Sequence, residues 1–506
     1  MTATKLPGIF TSGMVFQRNR EFIIEGEESS LSEVTVTFAG IKKKAQVTDG
    51  KFRTVFPPME AAVNEQLKVV GSDTIVLEDV CVGDVYMLAG QSNMELPVSR
   101  TVDLNKEEIE AKDYPEIRQF QLIPDYELPV KGEKSICGFP GGRWIKAAGD
   151  DKYAMSAIGF YSAKRIFDKT NVPIGLILNA QGGATIEAYM SEEDYEKAGC
   201  SEDDVAPFRG KNVIKDYVAR AEQNCIVWRN SSIDKDFSLE KALAGAINVE
   251  LPGIVIDQFS GSVWFYKEFD LEGPVEGKCL LKLGDLIDAD VTYVNGVEVG
   301  RTEYQYPPRK YYFDGSILKA GKNTIATRLI VELGKGGFVP GHPYYIDTGS
   351  EKIDLKGEWK MMYEKKLPDY DPPKLPQMIP LTIYYACLVP LKDFAISQIW
   401  WCQGESNSGE PEGYDKKMVL VFNRMRELYG QVPVILIRIA NYINPLTHET
   451  EIPEGWKTVQ RFQDEAPQHI SNLKVVSSPD PDPIHELHPQ NKSIIGEGVA
   501  KASMEF

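Results

Sequence analysis

The spacing of apolar and polar positions divides the chain into four stretches of different texture. Residues 1–80 carry short, partly alternating runs: EFIIEGEE, EVTVTFAG, KKKAQVTDG, KFRTVFPP and QLKVVGS, separated by turn residues at regular intervals. That pattern predicts a small β-sandwich or barrel. From residue 81 the period changes. VGDVYML (Val82–Leu88) reads as a strand, and Ala157, Phe160, Ala163 and Phe167 share one face of a helix over about 154–169. VPIGLILNA (Val172–Ala180) is almost continuously apolar, as expected of a strand buried on both faces. SEED from Ser191 reads as a helix start and Gly199 as its stop.

Residues 245–365 return to β texture, with SVWFYKEFDLE, KCLLKLGD, DVTYVNGVEVG, KNTIATRLIVEL and GEWKMMYEKK as strands. Asn295-Gly296 between apolar runs is a hairpin signal. After the proline-rich DPPKLPQMIP, strand and helix alternate again. AISQIWW is a strand, Met418, Val421, Phe422, Met425 and Leu428 form a helix face stopped by Gly430, and VPVILIRIANY is a second strand. A helix over about 455–465, the strand LKVVSS and a last helix in QNKSIIGEGVAKA complete the chain. Such alternation predicts a parallel sheet with helices on both faces. Because it occurs on both sides of the second β stretch, the simplest division is an N-terminal β domain (1–80), one α/β domain in two parts (81–244 and 366–506) and an inserted β-sandwich (245–365).

Length and composition fit this division. A chain of 506 residues exceeds a single core, and 42% hydrophobic with 26% charged residues is ordinary for a globular protein. A formal net charge of −18 argues against nucleic acid or an anionic bilayer as a general partner. The seven cysteines (Cys81, Cys137, Cys200, Cys225, Cys279, Cys387, Cys402) show no CxxC spacing, which predicts reduced thiols rather than a disulfide framework or a zinc motif. The first residues lack an apolar run of signal-peptide length, and VPVILIRIA is too short for a membrane span, so the expected location is cytoplasmic.

Four loops follow predicted parallel strands and so share one sheet edge, the edge at which open sheets bind ligands. They carry Ser92 in AGQSNMEL, Gly182-Gly183, Asn407, and, before the last helix, His488. Each alone has a plain structural reading: a helix cap, a turn, a turn, an exposed histidine. Together they supply a hydroxyl nucleophile, a base, and donors for a tetrahedral oxyanion.

The set GQSNM (Gly90–Met94), GGATIEAY (Gly182–Tyr189), WWCQGESN (Trp400–Asn407) and HPQNK (His488–Lys492) resembles the SGNH hydrolases, and most closely the carbohydrate O-acetylesterases typified by the sialate O-acetylesterases. LPGIFTSGMVFQR resembles that family's N-terminal β-domain, and VWFYKEFDL with YVNGVEVG its inserted sandwich. The resemblance implies an α/β fold with a three-layer SGNH-hydrolase parallel sheet, an N-terminal β domain and an inserted jelly-roll-like β-sandwich. It implies Ser92 as nucleophile, His488 as general base, and an oxyanion hole of the Ser92 N–H, the Gly183 N–H and the Asn407 side chain. The sequence separates Gly183 from Gly182 only weakly. Gln403 and Glu405 fall in the third block and are candidates for substrate contact, with loop ordering an equal reading of Glu405.

The third catalytic member departs from the family pattern. Where Asp-x-His-Pro is usual, this chain has Glu486 in HELHP. Asp480 and Asp482 are alternative orienters, and so is a Ser–His dyad held by a backbone carbonyl. His485 is a rival base, disfavoured because Pro489 and Lys492 follow His488 as the family pattern requires. The implied reaction is acetyl transfer to water without metal or cofactor, on sialic acid or on acetylated oligosaccharides from xylan, xyloglucan or mannan. No membrane or nucleic-acid partner is expected, and a homo-oligomer is left open. Two rival classes are a non-catalytic glycan-binding β-sandwich protein, with Trp264 or Tyr266 as stacking platforms, and a glycosidase using Glu405 with a second carboxylate.

Overall fold

The computed structural model describes residues 4–133, 141–447 and 449–506. Cys137 lies outside them, and no disulfide joins the six described cysteines. No described helix is long and apolar enough to cross a membrane.

The organising element is one strand of 17 residues, Thr74–Gly90. Its first half pairs antiparallel with Ala62–Val70, in a sheet that also holds Phe22–Glu28, Glu33–Phe38, Ile41–Thr48 and Lys51–Phe56. Its second half is central in a parallel sheet. On one side it pairs with Ile174–Ala180, which pairs in turn with Tyr114–Ile123. On the other it pairs with Gln398–Cys402, followed by Val434–Arg438 and Leu473–Ser477. Gly141–Ala147 adds an antiparallel edge. The chain crosses the boundary expected near residue 80 without leaving this strand. Alternation of exposed and buried positions gives way there to continuous burial from Val80 to Val82, the signature of a strand entering a covered sheet.

Residues alternate across the parallel sheet into two cores. Tyr86, Leu88, Leu176, Trp400, Ile435 and Ile437 pack with helices Ala157–Thr170 and Lys492–Met504. Met87, Ala89, Ile177, Trp401 and Leu436 pack with Tyr414–Tyr429 and Glu454–His469. The second core runs on into the N-terminal strands, where Phe16 lies 6.4 Å from Phe394. Ser156 caps the first of these helices through its hydroxyl, accepting the Gly159 N–H, and Asn171 ends it in the left-handed conformation.

Residues 247–367 form three further sheets of six, three and four strands around a core of their own, which includes Val263, Phe265, Leu281, Phe338 and Trp359. Asn295 (φ 48°) and Gly296 (φ 80°) make the expected hairpin turn between Ala289–Val294 and Val297–Thr302. Trp264 donates its indole N–H to Glu364 within this unit, and neither it nor Tyr266 lines the main cleft.

Candidate active site

Strands Thr74–Gly90, Ile174–Ala180 and Gln398–Cys402 end side by side, and the three loops that follow meet the segment before the last helix. Gly90 makes the close approach possible. It has φ 128°, and a Cβ there would lie 2.0 Å from the Cys402 carbonyl oxygen. The chain turns at Gln91 into a single helical turn, Ser92–Glu95, that begins on the serine. His488 Nε2 lies 2.9 Å from Ser92 Oγ. Tyr306, from the β-rich stretch 247–367, covers the imidazole edge-on, with ring centroids 5.3 Å apart. Burial, together with the Lys492 and Arg100 charges, holds the imidazole well below its ordinary pKa, so its nitrogen is available to accept a proton.

Each residue around Ser92 in the first block has a distinct task. Gln91 Oε1 accepts the N–H groups of Gly404 and Ser406, both at 3.2 Å, and fixes the third loop. Asn93 Nδ2 donates to Glu405 Oε1 at 2.7 Å and to the Leu487 carbonyl at 3.2 Å, while its Oδ1 accepts Lys492 Nζ at 2.6 Å. One amide therefore ties the serine's turn to both the third loop and the histidine segment. Glu95 Oε2 accepts the Gly182 N–H at 2.6 Å. That bond separates the two glycines. The Gly182 N–H is engaged, whereas the N–H groups of Gly183 and Ser92 donate to no acceptor among the described residues. Gly183 needs to be glycine: φ is 78°, and a Cβ would come within 2.5 Å of Met378 Cε.

Asn407 is placed differently from expectation. It is buried and does not line the cleft. Its Oδ1 accepts the Ile186 N–H at 3.0 Å and Gln403 Nε2 at 2.6 Å, and its Nδ2 donates to Glu187 Oε2 at 2.9 Å. In this conformation Asn407 braces the loop after Gly183. Gln403 is fully buried, with Nε2 also donating to the Ala184 carbonyl and Oε1 accepting from Tyr414. A direct substrate contact is closed to it for that reason. Glu405 does line the cleft, and its burial raises its carboxyl pKa.

Glu486 Oε1 accepts the backbone N–H of His488 at 2.9 Å, and among the described residues the imidazole donates no hydrogen bond to this carboxylate. Asp480 and Asp482 are exposed and make no hydrogen bond with His488. His485 Nδ1 lies 2.8 Å from the Ile443 carbonyl, turned to the chain rather than to Ser92. Behind Glu486 stand Asp285 and His342 of the β-rich stretch 247–367. Burial, with Glu486 close by, pushes Asp285 up to about 8.

Sequence reasoning did not assign a role to Tyr189, although it lies within the second block. Its fully buried hydroxyl accepts the Gly90 N–H at 2.9 Å and lies 2.7 Å from the carbonyls of both Gly90 and Asn179. It clamps the end of the strand from which Ser92 projects. Glu187, bridging Asn407 and Lys417, was likewise unassigned. The only local cue was their membership of an otherwise chemical motif.

The cleft above Ser92 measures about 1090 Å³, walled by Tyr304, Tyr306, Tyr442, Trp456, Met378 and Arg100 among others. Aromatic faces beside a few polar groups suit a small organic ligand. A serine within hydrogen-bond reach of a neutral imidazole, beside two unengaged N–H groups, is the geometry of serine-dependent acyl transfer.

The chain resembles carbohydrate O-acetylesterases. No family model matches it. Human sialate O-acetylesterase is 25% identical over 177 residues, 34% of this chain and 32% of the relative. The mouse sialate O-acetylesterase is 28% identical over 145 residues, 28% of this chain and 26% of the relative. The chain thus matches about a third or less of the length of these relatives. A carbohydrate acetylesterase from Xanthomonas citri has the same fold, with a TM-score of 0.59 and 16% identity over 99% of this chain and 75% of that one.

Proposed function

We propose that the chain is a serine esterase that removes O-acetyl groups from carbohydrates. The observation that carries this reading is the 2.9 Å contact between His488 Nε2 and Ser92 Oγ at the floor of the cleft. His488 takes the hydroxyl proton as Oγ attacks the acetyl carbonyl. The oxyanion is received by the N–H groups of Ser92 and Gly183. Collapse expels the sugar oxygen, which His488 reprotonates. Water, deprotonated by the same imidazole, then releases acetate from Ser92. Glu486 positions His488 through its main chain, so the unit works as a dyad. The SGNH architecture, with an N-terminal β unit and an inserted sandwich whose Tyr306 roofs the site, is part of the same proposal.

Between acidic and neutral acetylated sugars, one observation favours the acidic class. Arg100 lines the cleft and makes no ion pair among the described residues, so a sugar carboxylate, as in a sialate, has a cation to meet. Incubation with O-acetyl sialates and with acetylated xylan, xyloglucan and mannan fragments, followed by NMR of released acetate, tests both points. Acetate released by the wild type and not by Ser92→Ala supports the esterase. Binding without acetate release from any member supports a glycan-binding protein instead.

A further inference from the structure

Three side chains far apart in sequence converge beneath the catalytic histidine: Asp285 and His342 from the β-rich insert, and Glu486 from the segment that carries His488. One ligand atom from each lies within 4.8 Å of the other two. All three residues are buried, Asp285 at 7% exposure and His342 at 4%. His342 Nε2 lies 3.6 Å from Asp285 Oδ2, outside hydrogen-bond range. Neither His342 Nε2 nor Asp285 Oδ1 has a hydrogen-bond partner among the described residues.

Buried polar atoms are normally satisfied, and a buried imidazole nitrogen aimed at two carboxylates without bonding either needs an explanation. Nearby cations do not supply one. Arg309 is fully engaged by Asp290 and by the carbonyls of Gln305, Pro307, Leu286 and Asp288. Lys310 pairs with Asp103, and Lys492 bonds Asn93. Arg100 reaches both carboxylates only at longer range, with no ion pair to either among the described residues. With a cation bound, Asp285 and Glu486 would both be ionised and His342 neutral, a formal charge of −2 that a divalent cation cancels.

We propose that Asp285, His342 and Glu486 bind one first-row divalent cation of the Zn²⁺ type, which pins the β-rich insert to the catalytic-histidine segment. One imidazole and two carboxylates suit such a borderline ion, whereas Ca²⁺ and Mg²⁺ favour oxygen ligands throughout. The 3.6 Å between His342 Nε2 and Asp285 Oδ2 is close to the edge of a tetrahedron of ligands at ~2.1 Å from zinc, about 3.4 Å. A small cavity of about 70 Å³ lies beside Asp285, lined also by Tyr306, Tyr442, His485 and Leu487. The cation acts as a staple and holds Glu486, which in turn fixes the His488 main chain. The inference does not depend on which ester the cleft accepts.

The test uses the full chain. Protein from zinc-supplemented growth is dialysed and its metals are counted by inductively coupled plasma mass spectrometry. Apo protein made with a chelator is then titrated with Zn²⁺ while its melting temperature is followed. About one equivalent per chain, and a rise in the apo melting temperature with Zn²⁺, are expected. Asp285→Asn and His342→Gln should each lose the bound metal and the zinc-dependent rise. No stoichiometric metal together with no thermal response of the wild-type apo protein overturns the proposal, whether or not the variants fold. Metal retained at full stoichiometry in both variants overturns it as well, by placing the ion elsewhere.

Discussion

Replacing Tyr189 with Phe removes one buried oxygen and leaves the ring in place. The ring packs edge-on against Trp401, with centroids 4.8 Å apart, so no cavity of consequence forms. The oxygen is the acceptor for the Gly90 N–H and lies 2.7 Å from the carbonyls of Gly90 and Asn179. The Gly90 carbonyl keeps the Gln181 N–H at 3.2 Å, so the principal orphan is the Gly90 donor. A buried donor left unsatisfied costs about 1–3 kcal/mol. Gly90 lies two residues before Ser92, so the strand end is expected to relieve the loss by moving, and the serine moves with it. If that cost appears in the transition state, kcat/KM falls roughly 5- to 150-fold. Hydrolysis of 4-nitrophenyl acetate measures the rate, and a thermal melt shows whether the fold survives. A Tyr189→Phe enzyme with wild-type kcat/KM and an unchanged melt would refute the clamp.

Three further outcomes follow from the same geometry. Glu486→Gln keeps an oxygen that can accept the His488 N–H, so kcat should fall by less than about tenfold and Glu486→Ala should cost more; a loss near 10⁴-fold in the Gln variant, the scale seen when a carboxylate that orients a catalytic histidine is neutralised, would instead show that Glu486 acts on the imidazole. Burial lowers Lys492 to about 8, so from there up to the free-lysine value the unfolded chain holds a proton that the folded chain lacks, and this site's contribution to stability rises with pH; melts at pH 8 and pH 10 should show the difference between wild type and Lys492→Met moving in the wild type's favour, and a pH-independent difference contradicts this. Arg100→Ala should raise KM for O-acetyl sialate about tenfold or more, as loss of a charge-assisted hydrogen bond does, and leave neutral acetylated oligosaccharides within about twofold; equal effects on both would remove Arg100 from carboxylate recognition.

The parts of the fold that were legible in the sequence are those with a strong local period. Helix Ala157–Thr170, strand Ile174–Ala180 and helix Tyr414–Tyr429 lie where their apolar spacing put them. Helix Val213–Ser231 was missed because it is largely exposed: only Ile214 is buried, so it has no apolar stripe to read. Strand Tyr114–Ile123 was missed because two of its buried residues, Arg118 and Gln119, are polar and bond partners distant in sequence. At the site, Ser92 and His488 stand together as the sheet-edge argument requires. The placing of Asn407 and Gln403 was not legible, because their direction depends on hydrogen bonds to Ile186, Glu187 and Tyr414, which only the folded chain brings near. The grouping of Asp285, His342 and Glu486 was hidden for the same reason: it joins the β-rich stretch 247–367 to a segment more than 140 residues further on.

The proposed esterase reaction requires Ser92 to carry the acetyl group between sugar and water. Acid quench during turnover of 4-nitrophenyl acetate, followed by peptide mass spectrometry, tests it directly. One acetyl group on the peptide containing Ser92, absent from Ser92→Ala and slower to form in His488→Ala, is the predicted result. Turnover with no acetyl at Ser92, or with acetyl accumulating at another residue on the catalytic timescale, would contradict it.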